Sequence, residues 1–159
     1  MNWDTIPLTQ GLVAMVDDCD YAAVTKFKWH ARWHEQTQGF YAQRMTSRKL
    51  GKQRSIQMHR EILDAPAGLQ VDHINGDTLD NRRSNLRLAT NAQNVMNSGV
   101  RADNHSGFKG VSRSRSGWVA RVTLSGKTTY LGWFKTPEEA HAAYSASAKV
   151  MHGEFARTA

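Results

Sequence analysis

A single cysteine, Cys19, stands in a chain of 159 residues, which excludes an intrachain disulfide framework and paired-cysteine zinc sites. No apolar run reaches membrane-spanning length and the amino terminus has no signal-peptide pattern. The expectation is a soluble, intracellular protein with no membrane partner. Carboxylates are also missing over a long stretch. None lies between Asp103 and Glu138, while Lys109, Arg113, Arg115, Arg121, Lys127 and Lys135 all fall there. Such a block reads as a phosphate-facing surface, with a solvated polar face as the plainer alternative. The overall charge of +7 and a pI near 9.9 point the same way, to an acidic partner such as nucleic acid or to a merely soluble basic protein. The excess is uneven: +2 over residues 1–98 and +5 over residues 99–159. With 40% hydrophobic and 22% charged residues, the chain has the composition of a folded globular protein.

The first part reads as strands and short turns. "GLVAMV" is an apolar run ended by the acidic turn "DDCD". "KWHARW" alternates, with Trp29, Ala31 and Trp33 on one face as core and His30 and Arg32 on the other. "QTQG" then leads into "FYAQRM", the pattern of a hairpin. In "SIQMHREIL", Ile56, His59, Ile62 and Leu63 fit one helical face, so His59 reads as a packed structural histidine. A polar stretch without hydrophobic period marks a linker over residues 99–106, between a first region at 1–98 and a second at 107–159.

The second region contains three β-prone runs, "FKGVSRS", "WVARVTL" and "TTYLGWF", separated by turns. In the middle run Trp118, Ala120, Val122 and Leu124 share one face; Val119, Arg121 and Thr123 share the other. A helix follows, with Thr136 as N-cap, Pro137 at the first helical position, Glu139 closing a capping box and Gly153 as stop. Its stripe of Ala140, Ala143, Tyr144, Ala148 and Met151 lets it lie close on a sheet. The expected unit is a three-stranded antiparallel sheet backed by one helix, one face buried and the other basic.

Six of the eight asparagines crowd into Val71–Asn97, around the pair Asp72-His73. Asparagine forms helices and strands poorly because its amide competes with the backbone. "LQVDHI" reads as a strand ending at that pair, "NLRLA" as a second strand beginning at Asn85, and "NAQNVMN" as a helix capped by Thr90. Asn94 falls one turn into the helix. The carboxylate of Asp72 and the amide oxygen of Asn94 are hard donors, suited to one magnesium or manganese ion that keeps its other positions for water and phosphate. His73, on the opposite side of the strand, can act as general base while neutral. That set is sufficient for phosphodiester hydrolysis.

"VDHINGD", "NRRSNLR" and "QNVMN" resemble the HNH nuclease family, in the asparagine-rich version of phage and intron-encoded homing endonucleases, over about residues 56–97. The resemblance implies a ββα-metal motif. It places the general base on His73, a metal ligand on Asp72, and the asparagine that holds the loop and orients the histidine on Asn85. The last metal position, histidine in many members, is Asn94 here.

"GFKGVSRSRSGWVARV", "YLGWF" and "TPEEAHAAY" resemble the plant ethylene-response-factor DNA-binding domain of the Apetala-two type, over about residues 106–157. In that family the sheet enters the major groove. The resemblance maps its contact positions onto Lys109, Ser112, Ser114, Arg121, Thr123, Thr128 and Tyr130. The first-strand arginines sit one place off, at Arg113 and Arg115, and two arginines expected in that family are Thr123 and Thr128.

These readings combine into an α+β protein: an N-terminal antiparallel sheet leading into the ββα-metal motif, then a three-stranded sheet on one helix. The expected function is a homing-type endonuclease using one Mg2+ or Mn2+ ion to nick or cut double-stranded DNA in the cytoplasm of a bacterial or phage-infected cell, with a monomer favoured over two chains paired across the duplex. A minimal one-metal site has little sequence preference, so the second module supplies targeting. The alternatives are a non-enzymatic DNA-binding regulator on an inactive HNH scaffold and a restriction- or repair-type nuclease.

Overall fold

The computed structural model describes residues 2–101 and 103–158; Ala102, within the expected linker, lies outside the described residues. Compactness divides the chain into two units, Met1–Thr90 and Asn91–Ala159.

The first unit opens with an antiparallel hairpin, β1 (Trp3–Pro7) and β2 (Val13–Asp17), followed by α1 (Asp18–Val24). The acidic run expected as a turn starts this helix instead, where Asp18 and Asp20 suit the positive end of the helix dipole. A second sheet has the order β3 (His30–His34), β4 (Gly39–Met45), β5 (Ser55–Gln57), antiparallel throughout. α2 (Met58–Ile62) follows at once. The single helical face expected from Ile56 onward is therefore divided: Ile56 pairs with Arg44 in the sheet, and only the later residues are helical. β6 (Gln70–His73) and β7 (Leu86–Ala89) form the last hairpin of the unit. Asn85 ends the short 3-10 turn before β7 rather than beginning the strand.

Both hairpins, α1, α2 and β4 contribute to one core, which includes Ile6, Val16, Val24, Trp29, Ala42, Met58, Val71 and Leu86. Trp29 is buried and its indole N–H donates to the Val24 carbonyl, but Trp33 lies at the sheet end, 43% exposed against Phe40. The first hairpin also braces the loop between β6 and β7. Met15 accepts from the Asn81 N–H and donates to the Leu79 carbonyl, and Asp17 accepts from the Arg83 N–H at 2.8 Å. The Arg83 guanidinium forms a fork on Asp20 at 2.7 and 2.8 Å.

In the second unit α3 (Asn91–Asn97) precedes a sheet of β8 (Val111–Arg113), β9 (Trp118–Leu124) and β10 (Lys127–Phe134), ordered β10-β9-β8 and antiparallel. α4 (Pro137–His152) begins with the capping box of Thr136 and Glu139 and with Pro137 in its first turn. Its buried Ala140, Tyr144 and Ala148 meet Val111, Ala120 and Val122. Alanines permit this close approach, and Gly110, at φ +72°, completes it: a Cβ there would collide with the Tyr144 ring and the Arg121 carbonyl. No helix among the described residues is long and apolar enough to cross a membrane.

Candidate active site and nucleic-acid interface

The β6–β7 register sets Asp72 opposite Arg87 and His73 opposite Leu86, so the two polar side chains leave the strand on opposite sides. Both are buried, at 4% and 5% exposure. On one side Asp72 Oδ2 accepts from Arg87 Nε at 2.8 Å and lies 2.7 Å from Nη2. On the other, the His73 ring meets His59 edge-on, centroids 5.1 Å apart, and Tyr41 at 6.0 Å.

The loop from Ile74 to Asn85 is built from amides. Asn85 Oδ1 accepts from the Asn75 N–H at 3.0 Å, and its Nδ2 donates to the Asp80 carbonyl at 2.8 Å. Asn75 Nδ2 donates to the Asp80 carboxylate, while its Oδ1 accepts from the Asp77 N–H, an Asx turn. The Arg82 guanidinium grips Asp80 with two bonds of 2.7 Å and holds its carboxyl below the usual range. Thr78 Oγ1 donates to the Phe40 carbonyl at 2.6 Å, tying the loop to β4.

Asn81 was not legible as a site residue. It is 1% exposed, donates from Nδ2 to the Leu79 carbonyl at 3.1 Å, and so turns Oδ1 towards His73 Nε2, 3.5 Å away. An amide oxygen only accepts, which favours the tautomer carrying its proton on Nε2 and its basic lone pair on Nδ1. Burial pushes the His73 imidazole below the ordinary histidine range, opposed by Asn81, Asp72, Asp77 and Asp80. The ring is neutral at neutral pH, the state a general base needs.

His59 is a packed histidine, 4% exposed, as its helical spacing implied. Burial first, then His73 and Arg60, lower its pKa to about 3 from 6.5. The unfolded chain therefore takes up a proton at this position near pH 6.5, which the folded chain resists until about pH 3. The stability involved is fully present above pH 6.5 and is lost as pH falls through that window. Unfolding free energies from urea titrations, measured from neutral pH downward, should fall more steeply for the wild type than for His59→Phe, by up to about 1.4 kcal/mol per pH unit. Parallel slopes would show that His59 is not the group responsible.

Asn94 lies in the first part of α3, half-buried, and belongs to the second unit. Among the described residues no group of three or more His, Cys, Asp or Glu side chains is placed to hold a metal ion. The Asp72 carboxylate is a hard oxygen donor of the kind that suits a magnesium or manganese ion.

In the second unit, Ser112, Arg121, Thr123, Thr128 and Tyr130 lie exposed on the outer sheet face. Arg121 Nη1 donates to Ser112 Oγ at 3.2 Å and stands opposite Tyr130; Thr123 and Thr128 share a hydroxyl bond of 2.8 Å. Ser114 and Arg115 fall in the turn before β9. Two expected contact cations are used otherwise. Lys109 donates to the Met96 and Ser98 carbonyls, at 2.7 Å for the latter, and satisfies the C-terminal end of α3. Burial and Arg157 lower its pKa to about 8. Arg113 shares the Val111 side of β8 and lies over the Trp118 ring, 5.3 Å from its centroid. The outer face is thus less basic than expected, with Arg121 at its centre among hydroxyls, Tyr130 and the exposed Trp133.

The HNH endonuclease family model matches residues 64–96, a span that holds β6, the asparagine loop, β7 and most of α3. Asp72, His73, Asn85 and Asn94 all fall inside it. The chain is also 32% identical over 153 residues to an uncharacterized HNH endonuclease of Acanthamoeba polyphaga mimivirus, a match covering 92% of this chain and 74% of that one. A strand pair ending in Asp-His and followed by a helix is here part of an endonuclease, and the chain belongs to the HNH endonuclease family. Protein 3.8 of Escherichia phage T7 is 35% identical over 96 residues, 58% of this chain and 77% of that protein. No solved structure matches the chain.

Proposed function

We propose that this HNH endonuclease hydrolyses phosphodiester bonds of double-stranded DNA with one bound Mg2+ or Mn2+, and that its C-terminal sheet directs it to a site, as in a homing-type enzyme. The observation that carries this reading is His73: buried at the end of β6, on the side of the strand away from Asp72, with the Asn81 amide oxygen 3.5 Å from its Nε2. His73 takes the proton of the attacking water. Asp72 and Asn94 supply the protein oxygens for the ion, which, when bound, neutralises charge developing on the phosphate and leaving oxygen. Asn85 holds the loop that follows His73, through Asn75 and Asp80. Arg87 fixes the Asp72 carboxylate on its strand through a short ion pair.

The C-terminal unit is a three-stranded sheet on one helix, and on its sequence resemblance to the ethylene-response-factor type Arg121 is the residue we assign to base reading. Its bond to Ser112 pre-orients the guanidinium on an exposed face. Arg121→Ala should weaken binding at a preferred site by about 1–3 kcal/mol and relax preference at one base pair, with a smaller effect on random duplex. Equal loss on all sequences would make Arg121 a phosphate contact only.

The test of the whole reading is incubation of the full chain with supercoiled plasmid, with Mg2+, with Mn2+ and with excess chelator, and mapping of breaks on both labelled strands. Ion-dependent breaks confined to few positions are expected. Full cleavage in chelator overturns the metal assignment, and breaks spread evenly over the plasmid overturn the homing-type reading.

A further inference from the structure

We propose that Lys109 is a positioning residue of the nuclease: from within the second unit it holds α3, the helix that ends the HNH motif, so that Asn94 can serve the ion. The inference rests on the nuclease reading for the role of Asn94, and on separate observations for the hold on the helix.

The family match covers residues 64–96, and the boundary between the two units falls inside it, after Thr90. α3 thus belongs to the nuclease motif by sequence and to the second unit by packing. It has seven residues, whereas isolated helices shorter than about 12–15 residues are marginal in water, so neighbouring groups must hold it. The last carbonyls of a helix also lack donors within it. Lys109 supplies one. Its Nζ donates to the Met96 carbonyl, to that of Ser98 at 2.7 Å and to that of Val95 at 3.5 Å. Val95 and Met96 directly follow Asn94. A cation placed here also meets the negative end of the helix dipole.

Close packing does not fill the space beneath the helix. A cleft of about 320 Å3 lies between Ala92, Val95 and Met96 of α3 and the side formed by Gly110, Tyr144 and His152. Lys109 borders this cleft and reaches α3 as a strut. The strut starts from a fixed base. Asn104 Oδ1 accepts from the Ser106 and Gly107 N–H groups at 2.8 and 2.9 Å, and its Nδ2 donates to the Phe108 carbonyl at 2.9 Å. On the other side, the Gly110 carbonyl accepts from the Arg121 N–H at 2.8 Å, and Gly110 lies too close to Tyr144 for any side chain. Both neighbours of Lys109 are therefore locked, and its stem carries the position of the sheet to the helix of Asn94. The second unit does more than add affinity: it sets a helix on which the reaction depends.

Full-length Lys109→Met and Lys109→Arg decide this. Methionine keeps most of the stem and removes the donors; arginine keeps donors and charge. In Lys109→Met, amide hydrogen exchange should quicken about 10-fold or more over residues 91–98 and stay unchanged over β8–β10 and α4. Mn2+ affinity without DNA, followed by paramagnetic resonance, and the single-turnover rate at saturating DNA should each fall about 10-fold or more. The half-saturating DNA concentration should stay within about 3-fold and the salt slope should not change, because Nζ is engaged with carbonyls rather than phosphates. Lys109→Arg should recover most of the rate and of the Mn2+ affinity. Weaker DNA binding with a shallower salt slope and a normal rate would make Lys109 a phosphate contact and overturn the proposal. Faster exchange in α3 with wild-type rate and Mn2+ affinity also overturns it, while the nuclease reading stands. Exchange quickened over the whole second unit, with no recovery in Lys109→Arg, marks a loss of folding and overturns the positioning role. A wild type that neither binds Mn2+ nor cuts overturns the nuclease reading, and the positioning role with it.

Discussion

Asp72→Asn is expected to reduce cleavage to background at Mg2+ concentrations that saturate the wild type, while affinity for duplex DNA stays within about 3-fold, because on the proposed mechanism the substitution removes the charge of the ion's carboxylate ligand and no DNA-facing group. Asparagine is the informative replacement because of Arg87. Asp72 is 5% exposed and Arg87 12% exposed at the side chain, and the two form a short ion pair. Asp72→Ala would remove one half of this buried pair, a change that costs about 3–5 kcal/mol in comparable buried pairs. Loss of activity in that variant would then mix chemistry with unfolding. Asp72→Asn keeps an oxygen for Arg87 and takes away only the charge, so its melting midpoint should fall less than that of Asp72→Ala. Binding of Mn2+ followed by paramagnetic resonance should weaken in parallel with the rate. Normal cleavage by Asp72→Asn would place the ion elsewhere.

His73→Ala is expected to lower the cleavage rate by about 10²–10⁴-fold, the usual contribution of a positioned general base. Metal affinity should change little, because the imidazole leaves β6 on the side away from Asp72. Added imidazole should recover part of the rate, since the truncated side chain leaves room among His59, Tyr41 and Asn81. Asn81→Leu provides the complementary result. Without the oxygen that selects the tautomer, cleavage should fall while Mn2+ binding persists. If His73→Ala loses metal binding as completely as Asp72→Asn, the roles assigned to the two neighbours are reversed.

The opposite facing of Asp72 and His73 was legible because a hairpin strand has period two: neighbours diverge whatever surrounds them. The capping box of α4 and the apolar alternation of β9 were legible for the same local reason, and the structure contains both. The split of residues 55–62 into β5 and α2 was not. A short apolar pattern fits a strand edge or a helix turn equally, and here pairing of Ile56 with Arg44 decides. Charge sign was likewise legible and charge use was not. Lys109 and Arg113 read as surface cations, but one ends on the carbonyls of α3 and the other on the ring of Trp118.

The sequence by itself determined the chemistry available: a carboxylate, an imidazole and a set of amides in one short span, and a sheet-and-helix unit with excess positive charge behind it. Local spacing suffices for that, because alternation and capping act over a few residues. Tertiary structure alone decided what holds His73. Asn81 reaches it only because the loop folds back over eight residues and is clamped by Met15, Asp17 and Asn85. His59 and Tyr41 reach it only because α2 and β4 pack on the same core. Such contacts join residues far apart in the chain, and no local periodicity encodes which distant amide or ring a buried histidine will meet.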